Sequence, residues 1–230
     1  AHAFDPAVLT QMAIATSLAT IIFTSISSVK AHHERGAVRW ELVRLLAPGI
    51  VLGTFVGAEI AHRLPGRSLQ SLIGGFALLM AVQMFSNWRP GGDAASPSPL
   101  PGKPGLFAGG SIIGMASALF GIGGGSLTVP WLSYHAVRMQ EAVATSSACG
   151  MAIAMAGTLG FIYTGWGTGG LPENAIGYVY APAFVGISIS SVLFARLGVR
   201  LAHRLPAATL KKVFALLLVA VGLQLITGGH

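Results

Sequence analysis

Hydrophobic residues run along this chain in seven long stretches, at about 7–29, 42–61, 68–87, 105–134, 139–164, 175–197 and 207–227. Each approaches or exceeds the roughly 20 residues that a helix needs to cross the hydrocarbon of a bilayer. None alternates with the period of two that marks a barrel strand. Within lipid only helices and closed barrels satisfy every backbone group, so the pattern predicts a bundle of helices. One interval is different in kind: 89–104 (RPGGDAASPSPLPGKP) is rich in Pro, Gly and Ser and can neither propagate a helix nor pack. It is expected to be a cytoplasmic linker between a first transmembrane repeat, 1–88, and a second, 105–230.

The two parts are related. Ala15-Thr16-Ser17 returns as Ala144-Thr145-Ser146, with Ala7-Val8 and Gln11 matched by Ala136-Val137 and Gln140, all at an offset of 129. Farther along, Ala61-His62-Arg63-Leu64-Pro65 returns intact as Ala202-His203-Arg204-Leu205-Pro206 at an offset of 141. The difference of 12 residues is an insertion, and the glycine-rich 165–172 is its natural place. Carried backwards, the first offset sets Ala1 opposite Pro130, so the first repeat is expected to lack the counterpart of 105–129. That segment ends in Phe120-Gly121-Ile122-Gly123-Gly124-Gly125-Ser126-Leu127-Thr128-Val129-Pro130. An interior glycine costs a helix about 1 kcal/mol relative to alanine. Four in five residues, followed by a proline, predict two half-helices around a break.

Composition places the chain in a membrane: 53% of residues are hydrophobic and 9% charged, against about 25% charged in soluble domains. The excess of 14 Lys and Arg over 7 Asp and Glu then reads as basic cytoplasmic loops, not as a nucleic-acid surface. It also bears on topology. If 105–134 crossed the membrane, the basic residues would divide 6 against 8 between the two faces; if it enters and returns on one face, they divide 12 against 2. The second division obeys the positive-inside rule. Each repeat then keeps three crossings, an odd number, and the repeats run in opposite directions. The expected fold is an all-α integral membrane protein built as a helical bundle of two inverted-topology repeats. Each repeat would hold a broken or re-entrant glycine-rich hairpin and three transmembrane helices, with the first hairpin missing here. Residues 30–41, 88–104, 135–139 and 196–208 are expected in the cytoplasm of a multi-pass inner (plasma) membrane protein, and 62–67 and 165–174 outside.

The candidate chemistry follows from the break. A helix that begins inside the membrane presents unpaired N–H groups and the positive end of its dipole, which suits an anion. Gly123, Gly124 and Gly125 would let a ligand approach the backbone, with Ser126 and Thr128 supplying hydroxyls. The alternative is that these glycines only allow close helix packing. Thr16-Ser17 and Thr145-Ser146, at matching repeat positions, could form a polar waist, or each hydroxyl could bond back to its own helix. Arg196, Arg200 and Arg204 lie on one face and are expected to reach anionic headgroups. Trp40, Trp88, Trp131 and Trp166 fall near segment ends, as interfacial aromatics do. Glu59 is the acidic residue deepest in a hydrophobic run and is expected to reach interfacial water. His32 and His33 have no third ligand nearby, and the lone Cys149 excludes an intrachain disulfide. No HExxH motif, catalytic carboxylate pair, Ser-His constellation or nucleotide-binding motif occurs, so neither catalytic residues nor a metal or other cofactor is expected.

The glycine-rich Gly121-Ile122-Gly123-Gly124-Gly125, then Pro130 and Ala144-Thr145-Ser146, resembles the pattern of the TauE/SafE family of sulfite and organosulfonate exporters. Ala15-Thr16-Ser17, the Ser25 to Ser28 region, His32 or His33 and Gly36-Ala37-Val38 also look like that family. The resemblance implies export of a small sulfur-containing anion, sulfite or a sulfonate such as sulfoacetate, where the residues alone imply only an anion. Gly123, Gly124, Gly125, Ser126, Thr16, Ser17, Thr145 and Ser146 are then the expected substrate-binding residues. The expected partners are that anion, membrane lipid and a second copy of the chain in a homodimer, with no nucleic acid. A passive anion channel, or an uptake transporter for another oxyanion or a small carboxylate, is the rival from the same residues, and a membrane-embedded enzyme or assembly subunit the rival from another class.

Overall fold

A computed structural model describes residues 6–86, 99–204 and 207–227, except the side chains of 6, 7, 86, 192, 195–204, 207, 208, 210 and 211. Most of linker 89–104 and the side chains of Arg196, Arg200 and Arg204 lie outside the described residues, as does Trp88. The chain forms α1 (Pro6–Glu34), α2 (Trp40–Arg63), α3 (Gly66–Ser86), α4 (Lys103–Phe120), α5 (Gly125–Tyr134) and α6 (Met139–Gly165). A small antiparallel hairpin, β1 (Ala175–Ile176) and β2 (Val179–Tyr180), then leads into α7 (Ala181–Arg204) and α8 (Ala207–Thr227). Among the described residues four helices, α1, α2, α3 and α6, are long and apolar enough to cross a membrane. The described residues thus form a mostly helical membrane protein with one small hairpin.

Three boundaries depart from the hydrophobic pattern. The first helix continues past residue 29 to Glu34, because polar side chains are no obstacle where the helix leaves the bundle and His32 and His33 suit its negative end. It stops where Gly36 takes a left-handed φ of +65°. The stretch 175–197 is not helical from its start: the β-hairpin occupies 175–180 and α7 begins at Ala181. The segment expected at 105–134 starts two residues earlier, at Lys103, and is broken as expected, into α4 of 18 residues and α5 of 10.

The strongest packing follows a glycine seam. Without water to drive apolar surfaces together, helices in lipid associate where small residues let backbones approach. Along α2, Gly49, Gly53 and Gly57 meet the backbone of Phe107, Ser111 and Met115 on α4, and Gly110 and Gly114 of α4 meet Leu46 and Ile50 of α2. Contacts advance together on both helices, so α2 and α4 run parallel and start at the same end of the bundle. The chain also returns there after α5. Arg39, just before α2, and Arg138, just before α6, both pair with Glu141. The α4–α5 hairpin therefore sets out from and comes back to the end that carries residues 35–39.

Equivalent helices of the repeats face one another: α1 packs on α6 and α3 on α8. Ser28 meets Ser147, and at the positions related by the offset of 129 Leu18 meets Gly157. In the other pair Gly74 meets Gly222, while Ala81 and Ala215, related to them by 141, are both fully buried.

The glycine seam makes a testable contrast. A Cβ at Gly53 would overlap the Ser111 carbonyl, whereas one at Gly75 meets nothing within 4 Å. Gly53→Leu is expected to cost about 1–3 kcal/mol or more through overpacking, read as a lower unfolding temperature in detergent. Gly75→Ala should leave that temperature unchanged or raise it.

Candidate functional site

The interruption that creates the site starts with a helix stop. Gly121 adopts a left-handed φ of +64°, and the N–H groups of Gly121 and Ile122 both donate to the Ser117 carbonyl, which closes the end of α4. After Ile122 the chain turns through Gly123 and Gly124 and begins α5 at Gly125, with no side-chain cap on the new helix. The tip of this hairpin is wedged between the paired helices α1 and α6. A Cβ on Gly121 would come within 3.3 Å of Ile14, one on Gly123 within 3.7 Å of Ile21, and one on Gly124 within 3.0 Å of the Gly150 backbone.

Depth can be read along α6. Gly150 lies 11 residues from Met139, about 16 Å at a helical rise of 1.5 Å. The ten residues of α5 span about the same distance back to that end. The break thus faces a point about two-fifths of the way along α6, whose 27 residues are enough to cross hydrocarbon about 30 Å thick.

Beside the break is a cavity of ≈ 370 Å³ lined by Thr24, Ser25 and Ser28 of α1, Gly123, Gly124, Gly125 and Ser126 of the break, and Ser146, Ser147 and Gly150 of α6. All ten are glycine, serine or threonine, so the lining is backbone and hydroxyl with no formal charge. Ser28 Oγ donates to Ser147 Oγ at 3.1 Å, tying α1 to α6 across the cavity. Ser146 and Ser147 also donate to the Val143 carbonyl, and Thr24 to that of Ile21. The first-turn N–H groups of α5 have no intrahelical acceptor. They give this chamber of uncharged side chains a positive pole, worth about half a charge.

Five of the eight expected binding residues therefore come together here: Gly123, Gly124, Gly125, Ser126 and Ser146. Thr16, Ser17 and Thr145 are not in this lining. Thr16 Oγ1 accepts the N–H of Tyr180 at 3.1 Å, Thr145 Oγ1 accepts the N–H of Arg39 at 3.1 Å, and Ser17 Oγ donates to the Gly121 carbonyl at 3.2 Å. Thr16 and Ser17 line a different, more apolar cavity of ≈ 470 Å³ with Met12, Tyr180 and Ile187. The two Thr-Ser pairs do not meet as one waist. Thr24, Ser25, Ser28 and Ser147 line the first cavity without having been singled out as ligands from sequence. Their signal was the run of small hydroxyl residues on α1, whose facing partner only the antiparallel packing of α1 on α6 supplies.

Other candidates fall outside the cavity. Glu59 pairs with Arg63 one turn on, at 2.7 Å, where the arginine side chain is exposed. His33 Nδ1 accepts from Trp40 Nε1 at 3.1 Å. Trp131 covers Gly109, and Trp166 stands exposed beyond the end of α6. No group of three or more metal-ligating side chains occurs among the described residues, and Cys149 is buried.

The sequence profile described as "Sulfite exporter TauE/SafE" matches residues 4–225. A probable membrane transporter protein of Haemophilus influenzae is 36% identical over 94% of this chain and 81% of its own length. One of Xylella fastidiosa is 30% identical over 94% of this chain and 79% of its own length. One of Methanocaldococcus jannaschii is 25% identical over 93% of this chain and 78% of its own length. No solved structure matches the chain. A profile match across nearly the whole sequence, with the glycine break and both Thr-Ser pairs inside it, makes this chain a member of the TauE/SafE family of membrane transporters.

Proposed function

We propose that this transporter exports a small sulfur-containing anion, sulfite or an organosulfonate such as sulfoacetate, and that the anion binds in the cavity beside the broken hairpin. The observation that carries the proposal is the make-up of that cavity: three glycines and a serine at a helix start inside the bundle, faced by hydroxyls from α1 and α6. A sulfur oxyanion spreads its charge over several oxygens. Several weak neutral donors match it, and they hold it loosely enough to release, where a buried lysine or arginine would retain it. The family's name supplies the sulfur; the residues supply the preference for an anion. Gly123, Gly124, Gly125, Ser126 and Ser146 are its proposed ligands, with Thr24, Ser25, Ser28 and Ser147 beside them.

The proposed architecture is a pair of inverted repeats in the inner (plasma) membrane, coupled to an ion gradient or to downhill flow. Support comes from the antiparallel facing of equivalent helices and from the shared Glu141, which holds the loops before α2 and α6 at one end of the bundle. Inverted repeats with a discontinuous helix at their interface are the general plan of secondary transporters. The basic residues Arg35, Arg39 and Arg138 near that shared end support its assignment as the cytoplasmic one.

Flux in proteoliposomes tests the reading, with sulfite, sulfoacetate and thiosulfate as substrates and a carboxylate of similar size as control. Saturable sulfur-anion flux that exchanges against substrate on the far side is expected; carboxylate flux of equal rate would overturn the substrate assignment. Ser126→Ala should raise the half-saturating concentration about five- to tenfold, as loss of one hydrogen bond to a charged ligand does. Gly124→Leu, whose side chain would drive the break off Gly150, should reduce flux to about a tenth or less by displacing the helix start. Ser190→Ala, on an exposed turn of α7 where the hydroxyl bonds only its own helix, should transport like the parent. Normal flux in both site variants would remove the cavity as the binding site.

A further inference from the structure

We propose that Thr16 and Thr145 are paired gate residues, each fastening the start of the other repeat's second helix at one end of the transport path. The inference rests on the transporter reading above but not on the identity of the substrate. Thr16 in the first repeat accepts the N–H of Tyr180 in the second, and Thr145 in the second accepts the N–H of Arg39 in the first. The threonines are related by the offset of 129, and Arg39 and Tyr180 by the offset of 141. The same bond is thus made twice, in opposite senses, across the boundary between the repeats.

The loops that carry the two donors are also equivalent. Gly36-Ala37-Val38-Arg39 precedes α2, and Gly177-Tyr178-Val179-Tyr180 precedes α7. Gly36 and Gly177 both take left-handed φ angles, +65° and +54°, and Val38 and Val179 are both buried. The N–H at a helix start has no acceptor in its own helix, so a threonine on the opposing repeat becomes its acceptor. Such a bond contributes modestly to stability and can be exchanged without leaving a charge stranded, which suits a contact made and broken in each cycle.

The two fasteners are at opposite ends. Thr145 is in the second turn of α6, beside the Arg39–Glu141 ion pair. The 177–180 loop sits at the other end of α6, where Tyr178 N–H donates to the Phe161 carbonyl and Tyr178 packs over Gly165. Each loop has a second hold: Arg39 on Glu141 at one end, and the Tyr178 hydroxyl on His62 Nδ1, at 2.8 Å, at the other. Each threonine also precedes a serine that touches the break region, since Ser146 lines the cavity and Ser17 donates to the Gly121 carbonyl. Movement at either end is therefore transmitted to the site through one peptide bond. Alternating access requires one end to open while the other stays shut, and repeats related in this way provide two such states with the fasteners exchanged.

The test is labelling of a cavity cysteine from each side of the membrane. In a Cys149→Ala background with Ser147→Cys as reporter, a membrane-impermeant thiol reagent is applied to vesicles of both orientations. Thr145→Val is expected to raise the labelling rate about fivefold from the end carrying residues 35–39, as loss of one hydrogen bond shifts a two-state equilibrium. Thr16→Val should lower it from that end and raise it from the opposite one. Thr145→Ser and Thr16→Ser keep the acceptor and should label like the parent. Should either valine variant fail to fold, Glu141→Gln and Tyr178→Phe loosen the second holds at the two ends, and the same opposed shifts are expected. Shifts in one common direction, as a general loss of stability gives, or no shift, would overturn the proposal. Opposed shifts without sulfite or sulfonate flux would sink the substrate reading and leave the gates standing.

Discussion

A main chain that stops being helical within a bilayer must find partners for its backbone groups without help from bulk water, and much of this bundle serves that need. At the end of α4 the left-handed Gly121 turns two N–H groups back onto Ser117. Ser17 of α1 donates to the freed Gly121 carbonyl. Gly124 presses on Gly150 so closely that neither position tolerates a larger side chain without movement. The glycine seam between α2 and α4 holds the first arm of the hairpin, and α6 holds the tip. What is left unsatisfied within the helix is the first turn of α5, and that turn faces a chamber of hydroxyls.

This arrangement explains why the site is neutral. Every polar atom placed in the interior carries a desolvation cost, and a charged side chain carries the largest. A helix start and a set of serines deliver positive potential with no ionised group. Three of the six serines and threonines that line the chamber, Thr24, Ser146 and Ser147, also have a second use, bonding a carbonyl one turn away in their own helix. Those bonds satisfy the hydroxyls at low cost and leave their oxygens free to accept or their groups free to turn.

The repeat relation accounts for the contacts that tie the bundle together. Where equivalent helices meet, the packing is duplicated, as in Ser28 on Ser147 and Leu18 on Gly157. Where the loops before α2 and α7 meet the opposing repeat, a threonine takes the exposed amide at both ends. The chamber of hydroxyls is built around the break between α4 and α5, where both repeats contribute to its lining.

The sequence by itself determined the solvent, the helical class, the repeat with its two offsets, and the break at 121–125. These follow from hydrophobic length, glycine content and residue identity, which are local properties of the chain. It did not determine which hydroxyls share a chamber, because that depends on how α1 lies against α6. Thr16 and Ser17, adjacent in sequence, point to different partners, Tyr180 in β2 and Gly121 at the break, and Thr145 and Ser146 part in the same way. Thr24, Ser25, Ser28 and Ser147 came to line one cavity only through antiparallel contact across more than a hundred residues of chain. The β-hairpin at 175–180 was equally out of reach, since Gly177 and the Asn174 turn override an apolar stretch that length alone reads as helix. Tertiary packing decided these points because a hydroxyl's partner is set by distance in space, while its position in the chain fixes only the helix face it occupies.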